Sequence, residues 1–205
     1  MLYELATLTL KLHTIPRALP RLAEYTNSPN TAGRLLGCWE TEHGVIITRL
    51  LVLRAFEDAQ QLTHERDRLF RSHNPFGIGE FLESFTAETY LQFPFLAEPI
   101  RTGTYGPVYE FRTYRLKVGS LEPTMAGWAK ATPERTQLYP LTTVMYATDG
   151  HPRITHIWPF PSLDERLVIR RKAVEMGIWP PENGPESIAH ATSTIAIPTS
   201  ISPLN

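Results

Sequence analysis

The sequence contains YELATLTLK at residues 3–11 and, later, YEFRTYRLK at residues 109–117. The two stretches lie 109 − 3 = 106 positions apart, and a second pair, ITRL at 47–50 and ITHI at 154–157, gives an offset of 154 − 47 = 107. Two pairs at nearly one offset indicate a duplicated unit of roughly a hundred residues, which is the size of a small domain and far longer than a solenoid repeat. The chain is therefore predicted to be a tandem pair of like domains.

Hydrophobic periodicity predicts the same order of elements in each half: strand, helix, strand, strand, helix, strand. In the first half the predicted elements are, in turn, residues 3–12, 16–25, 34–41, 45–53, 56–71 and 81–93. The second half runs from 108 to 197, with a hairpin turn at 149–152 and its second helix at 163–176. This β-α-β-β-α-β order is the ferredoxin-like arrangement, so the fold class is α+β.

A four-stranded sheet with both helices on one side leaves its other face open, and an exposed apolar face favours association. We therefore expect the two sheets to pack together as a pseudo-dimeric α/β barrel within one chain. The Gly- and Pro-containing stretch 98–107 is typical of a boundary, which divides the chain into domains 1–104 and 105–205. From about residue 177 the chain becomes rich in proline, and we expect an extended, irregular arm that Trp179 docks to the body.

The second helix of the second half has a clear start signal. Ser162 and Glu165 fit a capping box, in which the serine hydroxyl accepts a backbone N–H. At an offset of 107 the aligned residues are Ala55 and Asp58, so the first half is predicted to lack this cap.

Composition excludes several classes of partner. A net charge of −1 offers no broad basic surface for nucleic acid, and no apolar run approaches the ~20 residues of a membrane span. The first strand pattern begins directly after Met1, and the single Cys38 forms no internal disulfide, so we expect a cytoplasmic protein. The seven histidines show no metal-ligand spacing, and no metal or cofactor is predicted.

Alternate residues of a strand share a face, which groups the polar side chains of the second half. Glu110, Arg112 and Tyr114 are predicted to point one way, and on the neighbouring strand His156 and Trp158 share a face. Together they form a small polar cluster in an aromatic wall, the composition of a ligand pocket. In such a pocket the arginine would hold a carboxylate or enolate, the tyrosine would donate to an oxyanion, and the histidine would transfer a proton.

A structural interpretation competes with this one. Glu110 and Arg112 can simply form an ion pair between layers, with Arg166 of the following helix joining them. His156 would then be a satisfied core residue, or the one histidine suited to a haem, while Trp158 and Trp128 would be core. The basic run 170–172 is predicted to lie on a solvated helix face.

Three motifs carry a resemblance to a known family: YEFRTYRLKVG at 109–119, HIWPFPSLDER at 156–166 and WPP at 179–181. Together they resemble the NIPSNAP family over residues 108 to about 203, and the resemblance implies the dimeric α/β-barrel group of ferredoxin-like folds. The first half resembles the same domain weakly, with Ala6 and Leu8 in place of the arginine and tyrosine, and with Arg49 and Leu51 aligned to the histidine and tryptophan. Any site is therefore expected in the second repeat alone.

The resemblance implies little about chemistry. Family members are linked to vesicle traffic, mitochondrial quality control and protein partners, while the wider barrel group includes cofactor-independent monooxygenases, isomerases and haem-dependent enzymes. We expect a binding or assembly module that takes a small molecule or a protein partner and forms a homo-oligomer. The alternative is a monooxygenase- or isomerase-type enzyme whose candidate catalytic residues are His156 and Tyr114.

Overall fold

The structure, a computed structural model, describes all 205 residues. Its eight strands and five helices are β1 (Leu2–Leu10), α1 (Ile15–Thr26), β2 (Arg34–His43), β3 (Arg49–Phe56), α2 (Ala59–Arg71), β4 (Leu82–Gln92), β5 (Val108–Leu116), α3 (Leu121–Leu138), β6 (Thr143–Ala147), β7 (Arg153–Phe160), α4 (Leu163–Glu175), α5 (Gly184–Ser187) and β8 (Ile188–Pro198). None of the helices combines the length and the apolar character that crossing a membrane requires.

The strands close into one antiparallel barrel in the order β1-β3-β2-β8-β5-β7-β6-β4. Within each repeat the strands follow the ferredoxin-like order, with the first strand between the third and the fourth. The two sheets join where β2 pairs with β8 and where β4 pairs with β6. The predicted pseudo-dimeric barrel of two ferredoxin-like repeats is confirmed.

The barrel interior is where the two open sheet faces meet. Trp39 of the first repeat lies with its ring centroid 5.2 Å from Tyr109 and 5.0 Å from Phe111 of the second. These side chains belong to a core of fifteen buried residues to which both repeats contribute. The helices cover the outer faces, where each repeat has a core of its own.

The structure shifts the predicted alignment of β3 with β7, the third strands of the two repeats, by three residues. The strand predicted at 45–53 begins only at Arg49, because residues 44–48 form the turn. Strand pairing sets Leu8 opposite Leu50 and Tyr114 opposite Ile154, so the offset between these strands is 154 − 50 = 104. The true counterparts of His156 and Trp158 are therefore Val52 and Arg54, and the predicted match to Arg49 and Leu51 is wrong.

The same offset corrects the helix cap. Asp58 precedes α2 and its Oδ1 accepts the N–H of Gln61 at 2.8 Å, while Ser162 precedes α4 and its Oγ accepts the N–H of Glu165 at 3.1 Å. Both caps therefore form, 162 − 58 = 104 positions apart, and the first repeat does not lack one.

The proline-rich segment is more ordered than predicted. Residues 188–198 form β8, which lies between β5 and β2 and so completes the barrel. The last residues return to the linker, where the N–H of Gly103 donates to Pro203 O and the N–H of Asn205 donates to Gly103 O, each at 3.0 Å. Trp179 docks this segment, as predicted, with its ring edge-on to Trp128 at 4.8 Å.

Candidate functional site

A cavity of about 370 Å³ lies between the outer face of the second sheet and helices α3 and α4. This arginine cavity has a volume within the usual range of small-molecule sites. Aromatic and basic side chains dominate its wall, which consists of Glu110, Arg112, Tyr114, Arg135, His156, Trp158, Phe160, Leu167, Arg170, Arg171, Val174 and Trp179.

Strand pairing brings five of the six predicted site residues to this wall. β5 and β7 are antiparallel neighbours, and their register sets Arg112 opposite His156 and Glu110 opposite Trp158. Tyr114 follows two residues further along β5 and so shares their face. The sixth residue, Arg166, binds Glu110 from α4 behind the wall.

Glu110 is held by more partners than the structural interpretation anticipated. Its side chain is 1% exposed, and it accepts from Arg112 Nη1 at 3.0 Å, Arg166 Nη2 at 2.5 Å, Arg170 Nη1 at 3.2 Å and Ser193 Oγ at 2.8 Å. Burial alone would raise the pKa of Glu110, but the Arg166 hydrogen bond and the charges of Arg170 and Arg112 lower it to about 2. Glu110 is therefore an anion that organises arginines rather than a base.

Arg112 and Tyr114 form a pair of donors. The Nε of Arg112 donates to the phenol oxygen of Tyr114 at 2.6 Å, and the guanidinium lies 5.4 Å from the tyrosine ring centroid. Since the phenol oxygen accepts this bond, its own hydrogen is free to donate to another group.

His156 is buried, at 2% exposure, and hydrogen bonding fixes its tautomer. Trp158 Nε1 donates to His156 Nδ1 at 2.8 Å, so a neutral ring carries its proton on Nε2. Burial, followed by the charge of Arg112, holds the pKa of His156 well below its ordinary value, so the ring is neutral near pH 7.

His156 Nε2 has no partner in the protein. The ring therefore offers a hydrogen-bond donor, and in this tautomer it does not act as the base of the predicted proton transfer. A haem iron would likewise find no free lone pair on this ring, so the residues present do not fit that group.

Arg135 is the site residue that the sequence analysis missed. It is 3% exposed, forms no ion pair, and its Nη1 has no hydrogen-bond partner. Its guanidinium lies 4.3 Å from the ring centroid of Trp158. Burial and the nearby charge of Arg170 lower the pKa of Arg135 to about 10, and the charge of Glu110 offsets this only in part.

A sequence signal for Arg135 existed. Thr124, Trp128, Thr132 and Arg135 are the buried residues of α3, and their spacing places them on one helical face. Helix α3 has 18 residues whereas α1 has 12, and Arg135 lies in the additional length. An arginine on an apolar helical stripe was the available clue.

The basic run on α4 is only partly solvated. Arg171 and Lys172 are exposed, but Arg170 is half-buried, contacts Glu110 and lines the arginine cavity. The prediction that all three lie on a solvated face is therefore wrong for Arg170. The strand-borne glutamate that holds it is too distant in sequence to be recognised from the helix alone.

The first repeat fills the equivalent space with its own side chains. Arg54, the counterpart of Trp158, is fully buried and binds Glu4 at 2.6 Å and Glu65 at 3.0 Å. Glu4 corresponds to Glu110, but the counterpart of Glu65, at the helix offset of 104, is the apolar Ile169. In the second repeat both members of the Arg54–Glu65 ion pair are therefore replaced by uncharged residues, Trp158 and Ile169.

Comparison with known proteins agrees with the duplicated barrel. The NIPSNAP family model matches the chain twice, at residues 3–89 and 109–203. The chain is 27% identical over 196 residues, 94% of its length and 82% of the relative's, to Protein NipSnap homolog of Dictyostelium discoideum.

Two solved structures superpose on nearly the whole chain. An anthrone oxidase-like protein gives a TM-score of 0.68 at 12% identity, covering 97% of this chain and 91% of that one. A mutant of chlorite dismutase from Candidatus Nitrospira defluvii gives 0.60 at 9% identity, covering 98% and 92%. At these identities the likeness concerns the fold alone.

Proposed function

The chain belongs to the NIPSNAP family, which has no assigned activity, and we propose that it is a binding module that holds a small carboxylate in the arginine cavity of its second repeat. Arg135 carries the proposal. A buried guanidinium without a counter-ion is costly, and an anion in the cavity removes that cost. Protein side chains supply no such anion, because the one glutamate of the wall already binds three arginines.

The free polar groups of the wall point to the same class of ligand. Arg135 Nη1 and the Nε2–H of His156 are buried donors that the protein leaves without a partner, and the hydroxyl hydrogen of Tyr114 is a third donor. A wall of donors recognises an acceptor, and a guanidinium recognises a carboxylate in particular, through two parallel hydrogen bonds.

The first repeat supports this interpretation as an internal comparison. There the buried Arg54 is paired with Glu65 from α2, whereas Trp158 and Ile169 stand at the positions of this pair in the second repeat, and the buried Arg135 comes from α3. A ligand carboxylate would give Arg135 the kind of counter-ion that Glu65 gives Arg54.

The test is calorimetric titration of the protein with butyrate at pH 7. Replacing Arg135 by Met should weaken binding by roughly ten- to a hundredfold, because a hydrogen bond to a charged group contributes about 1.5–3 kcal/mol. The matched control is Arg71→Met, which removes the same charge from an exposed position on α2 and should leave affinity unchanged within twofold. Equal binding by the Arg135 variant, or no binding by the unaltered protein, would refute the proposal.

An enzyme that stabilises an enolate or similar oxyanion is the second candidate. The observation that favours it is the convergence of three donors, which is the composition of an oxyanion hole. The test is exchange of the methyl hydrogens of pyruvate in D2O, followed by proton NMR, with a buffer base removing the hydrogen and the three donors stabilising the enolate. A binding module leaves the exchange at the rate of buffer, and acceleration that depends on Tyr114 and His156 would establish the enzyme.

Self-association through α4 is proposed as the assembly role of this module. Leu163, Leu167 and Val174 lie on one face of this helix and are 48%, 53% and 59% exposed, which forms an apolar stripe open to solvent. Sedimentation velocity should show an oligomer that Leu163→Asp dissociates. A monomer at all concentrations would contradict this role and leave the ligand proposal untouched.

A further inference from the structure

We propose that the ligand is an amphipathic carboxylic acid whose apolar body occupies a second cavity beside the arginine cavity. This inference rests on the proposed function and extends it, because it names the class of acid. The second, apolar cavity has a volume of about 250 Å³. Five residues line both cavities: Arg112, Tyr114, Arg170, Val174 and Trp179.

The residues that belong to the apolar cavity alone bring no further charge. Leu116, Trp128, Ile154 and Ile188 supply its apolar wall, together with prolines of the 180–185 segment. Thr124 is the one hydroxyl, and it donates to Ser120 O at 2.7 Å, so its hydrogen-bonding need is met within α3. The only charged partners for an acid group are Arg112 and Arg170, which line both cavities, whereas the rest of the wall offers contacts to an alkyl or aromatic group.

In the first repeat the apolar group beside the buried arginine comes from the chain itself. Phe76, which follows α2, is fully buried, with its ring 5.7 Å from Tyr25 and 5.4 Å from Phe85. The same ring lies 5.3 Å from the Arg54 guanidinium. In the first repeat an apolar group and an anion therefore surround one buried arginine, and both come from the protein.

In the second repeat a single ligand would supply both groups. Its carboxylate would lie beside the arginines, and its apolar body would extend past Trp179 into the apolar cavity. Val174 and Trp179 would contact both parts, since they line both cavities.

The experiment measures the affinity of the full chain for straight-chain carboxylates from acetate to decanoate, each below its micelle-forming concentration. Burial of each additional methylene should tighten binding about threefold to fourfold until the apolar cavity is full. The affinity for short acids then measures binding in the arginine cavity, and the gain in affinity per methylene measures binding in the apolar cavity.

Two variants at one position test whether the gain in affinity with chain length arises in the apolar cavity. Gly184 lines the apolar cavity, and a Cβ there would meet Pro181 at 3.7 Å, so Gly184→Ala is accommodated and serves as the control. Gly184→Leu places a branched side chain at the same point. It should reduce the affinity for octanoate and decanoate at least tenfold while leaving acetate and butyrate unchanged.

The outcomes separate this inference from the proposed function. Short carboxylates that bind with no gain per methylene would overturn the amphipathic ligand and leave the anion site standing. A chain-length gain that survives both Gly184→Leu and Arg135→Met would place the acid elsewhere and overturn it as well. Failure of every acid to bind would remove the proposed function and this inference together.

Discussion

Replacing Arg135 by Met should stabilise the ligand-free protein, although it removes a residue that is 97% inaccessible to solvent. The pKa of Arg135 falls from its ordinary 12.5 to about 10 because burial and Arg170 disfavour the charged form. A difference of 12.5 − 10 = 2.5 units corresponds to about 3 kcal/mol at ~1.4 kcal/mol per unit. Loss of the contact with Trp158 offsets about 1–2 kcal/mol of this gain.

The expected net effect is a free energy of unfolding that rises by about 1–2 kcal/mol, or roughly 2–8 °C in Tm for a chain of this length. Methionine is suited to the position because its flexible apolar side chain fills the space of the arginine stem. The assay is urea unfolding followed by circular dichroism, in a buffer free of carboxylates and phosphate.

The matched comparison is Arg54→Met in the first repeat. This variant removes an equally buried arginine but leaves Glu4 and Glu65 without their shared partner, so it should destabilise the protein by about 3–5 kcal/mol. Opposite signs for the two variants would show that the protein supplies a counter-ion to Arg54 and none to Arg135. A loss of more than about 1 kcal/mol in the Arg135 variant would mean instead that the protein itself compensates the charge of Arg135.

Three further outcomes follow from the geometry. The pKa of Glu110 is about 2 in the folded protein and 4.5 ordinarily, so its ionisation stabilises the fold above pH 4.5. The free energy of unfolding should fall by about 3 kcal/mol as the pH is lowered from 4.5 to 2. Glu110→Gln should abolish this pH dependence in urea unfolding. His156, whose pKa is depressed, should stay neutral between pH 5.5 and 7.5 with its proton on Nε2, whereas nitrogen NMR showing a titration in that range would contradict the site electrostatics. Tyr114→Phe should weaken butyrate about tenfold while changing the free energy of unfolding by under about 1 kcal/mol, since the hydroxyl contacts only Arg112; a large loss of stability would assign it a structural role instead.

The fold was predictable because both halves of the sequence show the same order of strands and helices. Alternating residues identify the strands, and the open face of each sheet requires a partner that the other repeat supplies. Turn geometry was harder. The apolar residues 45–47 look like strand, but they lie in the exposed turn between β2 and β3, and this displaced the alignment of the third strands by three residues.

The site residues on strands were predictable from the sequence, whereas those on helices were not. Arg112, Tyr114, His156 and Trp158 came together because the period of a strand fixes which side chains share a face. Arg135 depends on how far α3 extends beyond its counterpart. Arg170 depends on a contact with Glu110, sixty positions away, that only the packed structure defines.

The most direct test of the carboxylate site is a crystal structure of the protein grown with decanoate. We predict the carboxylate within hydrogen-bond distance of the Arg135 guanidinium and the His156 ring, with the alkyl chain directed past Trp179 toward Leu116 and Ile154. A carboxylate bound elsewhere, or decanoate absent from the arginine cavity at saturating concentration, would contradict it.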